Sequence, residues 1–593
     1  MKFPDSIGAV HQEICAKFGK KAALMHKAGS GYQSITYQEF GERVLALAAQ
    51  FLHLGINPGD KIGLISGSRP EWPYVDFAAQ SIGAVLVPVY TSLTAPQVQY
   101  ILKDAGVKIL FAENPSQAKK AEALRIKGQL ESIWVFDDSE DNSSEFENFS
   151  KLLHSSTKET DQVLHALQKV TRDDLATLIY TSGTTGEPKG VMLTHGNILA
   201  NLEQVLGVLD INPKDVFLSL LPLAHVFERT AGHYLPLCTG ASVAYAESPA
   251  TVSKNLGEVQ PTVMLAVPRL YEMMRAKILD TVEKSPKVRQ KIFHWALGVG
   301  RQSMHGGSRK KPALAVKRAL ADRLVYSKLR AKTGGRIRIF VSGGAALSPD
   351  VAEFFVSAGM PLIEGYGLTE TSPVLCANII EDNRPGTVGP PLPGVDIRID
   401  PGGEILAKGP NIMQGYYNLP KDTKAVFTDR GFFRTGDIGH FDERGYLVIT
   451  GRKKEIMVTS KGKNIAPAPI ENLIKTSPYI NEIMLIGDNR QYLTALAIPN
   501  FEKLSDVGLW HSDYSLHEDA SIDDPKINKM IRAEIRQLSV DLAEFEQVKK
   551  FVVLRRDFSI EAGELTPTLK VRRDVVMERY EKEINSMYKT AVS

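Results

Sequence analysis

Residues 180–190 read Tyr-Thr-Ser-Gly-Thr-Thr-Gly-Glu-Pro-Lys-Gly, and these residue types in this order suit a grip on phosphate. Gly183, Gly186 and Gly190 carry no Cβ, so the backbone can take unusual dihedrals and come close to an anion. Thr181, Ser182, Thr184 and Thr185 add hydroxyl donors, and Lys189 adds a point charge that is readily aimed at phosphate oxygens. A Walker loop starting at Gly183 would need Gly-Lys at 188 and 189, where the chain has Pro188 and Lys189, so the common kinase and GTPase reading fails. The plain alternative is a surface turn without a ligand; eleven ordered motif positions weigh against it. Other stretches carry chemistry as well. Ser342-Gly343-Gly344-Ala345-Ala346 offers a small-residue edge on which a flat base could lie, and Glu364-Gly365-Tyr366-Gly367-Leu368-Thr369-Glu370-Thr371 follows. Thr435-Gly436-Asp437 adds an acceptor-only carboxylate.

The elements that must position these groups follow from patterning. Leu175-Ala176-Thr177-Leu178-Ile179 has the apolar, β-branched character of a buried strand. Leu193 to Leu209 reads as a helix with Thr194 as N-cap, so strand, glycine loop and helix is the predicted context. Up to about residue 450, helical stretches alternate with the short apolar runs Ile62 to Ile65, Ala84 to Val89, Lys108 to Phe111, Ile133 to Phe136, Ser242 to Tyr245 and Ile337 to Val341. That rhythm predicts an α/β fold with mainly parallel sheets. Residues 138–162, rich in Ser, Asp, Glu and Asn, read as an exposed acidic excursion. Short runs separated by Gly and Pro predict a small β-rich subdomain over about 388–449. After Gly451-Arg452-Lys453-Lys454 the pattern restarts as a compact α+β unit ending in a helical tail over 570–588. The domains expected are an N-terminal lobe over 1–451, a hinge at 452–454 and a smaller mobile lobe over 455–593.

At 593 residues the chain exceeds what one core usually supports. Apolar residues at 43% and charged residues at 23% exclude a disordered chain, and the net charge of +3 gives no reason to expect a nucleic-acid partner. The first residues lack the apolar core of a signal peptide, and no apolar run is long enough to span a bilayer. Cys15, Cys238 and Cys376 lie far apart, without metal-ligand spacing; a reducing cytosol fits best. Residues 284–338 hold sixteen Lys or Arg against the single acid Asp322. This bias suggests peripheral contact with an anionic membrane. Val316, Leu320 and Leu324 recur there at helical spacing while Val325 and Leu329 fall off the stripe, which leaves a solvated helix packed on the lobe as the alternative.

The spacing Thr-Ser-Gly-Thr-Thr-Gly-x-Pro-Lys-Gly resembles the signature of the adenylate-forming superfamily, which includes acyl-CoA synthetases, aryl-CoA ligases, luciferases and peptide-synthetase adenylation domains. The later motifs match it in order. The resemblance implies ATP bound at Thr181 to Gly186, Lys189, Gly344, Ala345 and Glu364 to Gly367. It places adenine on Tyr366, the α-phosphate at Thr369, Mg²⁺ on Glu370, and the ribose at Asp437 and Arg452. It further implies that Lys454 is the swivel point, that Ser460, Lys461 and Gly462 line the CoA tunnel, and that Lys570, after Leu565-Thr566-Pro567-Thr568-Leu569, is the catalytic lysine. Thr185 and His225 join the catalytic set. Leu221-Pro222-Leu223-Ala224-His225-Val226-Phe227-Glu228-Arg229 resembles the His-x-x-Glu-Arg version of long-chain fatty acyl-CoA synthetases, with His225 beside the substrate carboxylate. Val267-Pro268-Arg269-Leu270-Tyr271-Glu272 is typical of the same branch. The expectation is a ligase that uses ATP, Mg²⁺ and CoA on a long-chain fatty acid, most similar to the bacterial enzymes. Two alternatives stay open: a fatty acyl-AMP ligase serving a carrier protein, and a nucleotide-binding scaffold that docks membranes without turnover.

Overall fold

The computed structural model describes residues 2–137, 146–153, 157–181, 187–304, 312–460, 462–510, 521–566 and 570–588. Two eight-stranded sheets dominate the first 416 residues. In one, the spatial order is Val374–Ala377, Leu362–Gly367, Ile339–Ser342, Val263–Ala266, Val216–Ser219, Ser242–Tyr245, Ala22–Ala28 and Gly31–Thr36. All neighbours pair in parallel except at the two edges. The other sheet places the strand Leu175–Thr181 between Val85–Val89 and Lys189–Thr194. Each apolar run singled out in the sequence overlaps a strand, because fully buried parallel strands need near-continuous β-branched and aliphatic side chains.

Helices seal the space between the sheets. Tyr37–His53 starts at a capping box: the Glu39 amide donates to Thr36 Oγ1 at 3.2 Å, and the Thr36 amide donates to Glu39 Oε2 at 2.7 Å. Its inner face, Phe40, Val44, Leu47 and Phe51, is buried. Glu71–Ser81 is buried along all but its first residue. It therefore must satisfy Asp76 internally.

The predicted strand–loop–helix around the glycine loop needs correction. Leu175–Thr181 and Lys189–Thr194 form an antiparallel hairpin, with Thr181 opposite Lys189 and Tyr180 opposite Gly190. The helix begins only at His195, where Thr194 is indeed the N-cap and accepts from the Asn197 amide. Val191 and Leu193 are buried in the sheet, which is why the segment extends before it coils. The acidic excursion is also tied down in its described part. Phe149 and Leu152 are buried, and Phe149 meets Phe111 and Phe136 edge-on.

A four-stranded antiparallel sheet follows, in the order Asp396–Ile399, Glu404–Lys408, Phe433–Phe441 and Leu447–Arg452. The last part of the chain forms another four-stranded sheet, Ile480–Ile486, Thr494–Pro499, Lys550–Leu554 and Ser521–Ile522, with its own two apolar clusters. It docks against the helix Pro268–Glu283. Arg269 donates to the Asn481 carbonyl at 2.9 Å, and Lys503 pairs with Asp280 at 2.6 Å. Among the described residues no helix is long and apolar enough to cross a membrane.

Candidate active site

The carboxyl ends of the parallel strands open into a cavity of about 1840 Å³, walled by both large sheets, the antiparallel sheet and the C-terminal part of the chain. Crevices at these strand ends are where α/β sheets bind ligands. Thr181, Lys189, His225, Gly344, Glu364, Gly365, Tyr366, Gly367, Thr369, Glu370, Arg452, Lys454 and Lys570 all line it. Residues nearly 400 positions apart in the chain thus share one space. Ser182, Gly183, Thr184, Thr185, Gly186 and Lys461 lie outside the described residues.

Gly367 sits where a Cβ would come within 1.7 Å of the Pro373 carbonyl oxygen, so only glycine lets the strand end pass. Beyond it, the turn Thr369–Thr371 is stapled to the segment that follows Asn411. The Met413 amide donates to the Glu370 carbonyl, and Tyr416 OH donates to Glu370 Oε1, both at 2.9 Å. Glu370 is thereby held facing the cavity. Lys189 reaches Asp422 at 2.5 Å and lies over the Tyr416 ring. Tyr416 and Asp422 are the site groups that the motifs missed. No local signal marks them, since Tyr416 reaches Val191 only by pairing across the sheet.

Asp437 and Arg452 stand directly opposite each other on neighbouring strands. Arg452 Nε donates to Asp437 Oδ1 at 2.9 Å, and Tyr366 OH donates to Oδ2 at 2.7 Å. The carboxylate is buried behind the cavity wall and is reached through these two partners. Glu364 is turned into the protein. Burial lifts its pKa to about 8 against the pull of the Gly386 and Leu347 amides.

Lys570 enters from the C-terminal part. Its side chain is exposed to the cavity, while the surrounding walls desolvate it. That desolvation, joined by the Arg452 charge and opposed by Asp437 and Glu455, lowers its pKa to about 8. His225 is pushed down to about 4 by burial and then by Lys570. The Phe227 amide donates to its Nδ1 at 3.2 Å, which fixes the neutral tautomer with Nε2–H as the donor.

Only His225 of the His-x-x-Glu-Arg set faces the cavity. Arg229 points the other way and meets Asp76 with Nη2 at 2.6 Å and Nε at 3.3 Å; its Nη1 donates to Thr177 Oγ1 at 2.6 Å. Tyr234 OH also donates to Asp76 at 2.9 Å. The pair clamps the buried helix Glu71–Ser81 to the segment behind His225. Ala345, Ser460 and Gly462 do not line the cavity. Ser460 follows the strand Met457–Val458 and Gly462 precedes its antiparallel partner Asn464–Ile465, and the Ser460 amide donates to the Arg490 carbonyl at 2.9 Å.

One branch of the cavity is apolar. Leu265, Val341 and Ile363 lie side by side on adjacent strands, with Phe217, Val263 and Ile339 further in. The alternate residues Leu218, Met264, Phe340 and Leu362 point to the other face and join a separate cluster.

The model of the AMP-binding enzyme family matches residues 11–417, and that of the AMP-binding enzyme C-terminal domain matches 454–592. The long-chain-fatty-acid–CoA ligase FadD15 of Mycobacterium bovis is 35% identical over 94% of this chain and 92% of its own length. The long-chain-fatty-acid–CoA ligase ACSBG2 of Rattus norvegicus is 30% identical over 99% of this chain and 93% of its own. Among solved structures, the adenylation domain of a carboxylate reductase from Mycobacterium chelonae superposes with a TM-score of 0.75, at 21% identity over 98% of this chain and 91% of that one. At that identity the likeness is one of fold. ATP-bound MatB from Rhodopseudomonas palustris gives a TM-score of 0.69 at 25% identity over 98% and 100% of the two chains.

Proposed function

The chain belongs to the AMP-binding enzyme family, and from that premise we propose how its cleft divides the work of a long-chain fatty acid–CoA ligase. The fatty acid carboxylate attacks the α-phosphorus of ATP, the bond to the β-phosphate breaks and pyrophosphate leaves. CoA thiolate then attacks the acyl carbon of the adenylate, releasing AMP. The observation that carries this reading is the two-ended cavity, with Glu370, Arg452 and Lys570 on its polar side and the buried aliphatic branch on the other.

Two anions must meet at the reacting atoms, so positioning and charge neutralisation do most of the catalysis. Lys189 and the glycine loop hold the phosphates, Tyr366 carries the adenine, and Asp437 with Arg452 takes the ribose hydroxyls. Lys570 bridges the carboxylate and the α-phosphate. Neutral His225 offers Nε2–H to the carboxylate without adding charge. Glu370 fits Mg²⁺ in donor chemistry and orientation. No group of three or more His, Cys, Asp or Glu among the described residues could hold a metal alone, so the ion would share Glu370 with ATP and neutralise phosphate charge when bound. A swivel of 455–593 about Lys454 would exchange Lys570 for the segment holding Ser460 and Gly462 and admit the pantetheine arm of CoA.

The reaction belongs in the cytoplasm, with the basic segment against an anionic membrane. Val316, Leu320 and Leu324 are 70%, 49% and 37% exposed beside Lys317, Arg318 and Arg323, while Val325 is buried. Co-sedimentation with liposomes that ignores anionic lipid and salt would defeat that contact. The activity itself is tested by pyrophosphate release from ATP and palmitate with and without CoA. Continuous release only with CoA, together with palmitoyl-CoA, supports the ligase. An adenylate that CoA does not discharge points to a carrier-protein acceptor, and no release with any fatty acid leaves only a scaffold.

A further inference from the structure

Strand register orders the apolar branch by depth. Gly343 lies at the neck, Val341 two residues below it and Ile339 two below that, so the branch runs about 13 Å down the strands. Phe217, Val263 and Ile339 form the deepest row, each at or next to the first residue of its strand. Leu209 and Ile211, in the turn after the helix His195–Leu206, complete that end.

Immediately beyond the row the chemistry changes. Asp215, Thr262 and Arg338 precede the three strands. Arg338 donates to the Asp215 carboxylate from Nη2 at 2.6 Å and Nε at 2.9 Å, and Thr262 Oγ1 donates to it at 2.7 Å. Arg338 also hydrogen-bonds the Asp210 carbonyl, between the two residues that cover the branch. Asp215 is buried. A hydrocarbon end cannot pass here without parting the buried Asp215 carboxylate from its partly exposed Arg338 partner and leaving that charge uncompensated, which is unfavourable.

Resting on the acyl-ligase reading, we infer that the Phe217–Val263–Ile339 row, backed by the Arg338–Asp215 lock, is the stop that sets the longest acyl chain this enzyme accepts. Chains too short to reach the row are indifferent to it. A longer chain must displace Phe217 or leave methylenes unhoused at the neck, where they disturb the carboxylate.

The test is kcat/KM for adenylation across saturated acids of about eight to twenty carbons in the wild type, Val263→Phe and Phe217→Ala. Val263→Phe raises the floor and should lower kcat/KM by about tenfold or more for the longest acids the wild type accepts, while the shortest stays within about twofold and certifies the fold. Phe217→Ala should shift the optimum to longer acids, improving the longest about tenfold relative to the wild-type optimum. An unmoved profile in Phe217→Ala, together with uniform loss at every length in Val263→Phe, overturns the stop. A wild type that adenylates none of the acids defeats the ligase reading, and the stop falls with it.

Discussion

Lys570 should betray its work through pH. Its pKa of about 8, set by desolvation inside the cleft and by the Arg452 charge, means that the free enzyme loses this cation within an accessible range. A lysine that neutralises two meeting anions acts only when protonated. Between about pH 7 and pH 9 its protonated fraction falls from about nine-tenths to about one-tenth, so kcat/KM for adenylation should drop about tenfold along a single-proton limb. His225, at about 4, stays neutral throughout and adds no second limb there. Binding of the carboxylate and ATP places negative charge beside Lys570, so the limb in kcat should lie at higher pH than the limb in kcat/KM. The assay is the single-turnover burst of pyrophosphate without CoA, read at subsaturating and at saturating fatty acid in place of kcat/KM and kcat, because the CoA thiol would otherwise titrate in the same window. Lys570→Arg retains the charge far above pH 9; whatever activity survives should show a flat profile. A wild-type limb displaced to the ordinary lysine range, or one shared by Lys570→Arg, would refute the argument.

Arg229→Met should leave Asp76 buried without its cation and reduce the stability of the N-terminal lobe in urea by about 3–5 kcal/mol. Adding Asp76→Leu should recover part of that loss, and strict additivity of the two changes would show that the pair does not act as a unit. Glu370→Gln and Lys189→Ala should both slow adenylation, with excess Mg²⁺ partly restoring only the first; equal rescue of both speaks against Glu370 as the metal carboxylate. Gly343→Ala would bring a Cβ within 2.8 Å of the Phe227 ring. Narrowing the neck should lower kcat/KM for the fatty acid by about tenfold while KM for ATP changes little; an equal effect on both substrates would place the neck elsewhere. Lys454→Pro restrains φ at the swivel point and should slow thioester formation while sparing adenylation, the reverse of Lys570→Ala. Single-turnover kinetics of each half-reaction decide this, and parallel losses in both halves rule out alternation about Lys454.

Much of the site was legible because its chemistry is local. Gly365, Tyr366, Gly367, Thr369 and Glu370 occupy one strand end and one turn, and their order along the chain is their order in space. The short apolar runs likewise declared buried parallel strands. The hairpin after the glycine loop was harder. Val191 and Leu193 alternate over too few residues to outweigh the helical pattern that follows, and only pairing with Leu175–Thr181 makes them a strand. The acidic stretch concealed Phe149 and Leu152, whose burial depends on Phe111 and Phe136.

Residue types and spacings alone pointed to a phosphate grip and to the alternation of strands and helices, and the family resemblance added the Mg²⁺ carboxylate and the lysine near the end as expectations. These depend on side-chain chemistry and on contacts within a few residues. The tertiary structure decided what arises from distant segments meeting. It made Arg229, which follows His225 in the same motif, the buried partner of Asp76, 153 positions away. It set Tyr416 against Glu370 and Asp422 against Lys189. It also placed Phe217, Val263 and Ile339 in one row at the bottom of the apolar branch. Register between strands separated by dozens of residues fixes that depth, and register is settled by packing of the whole sheet.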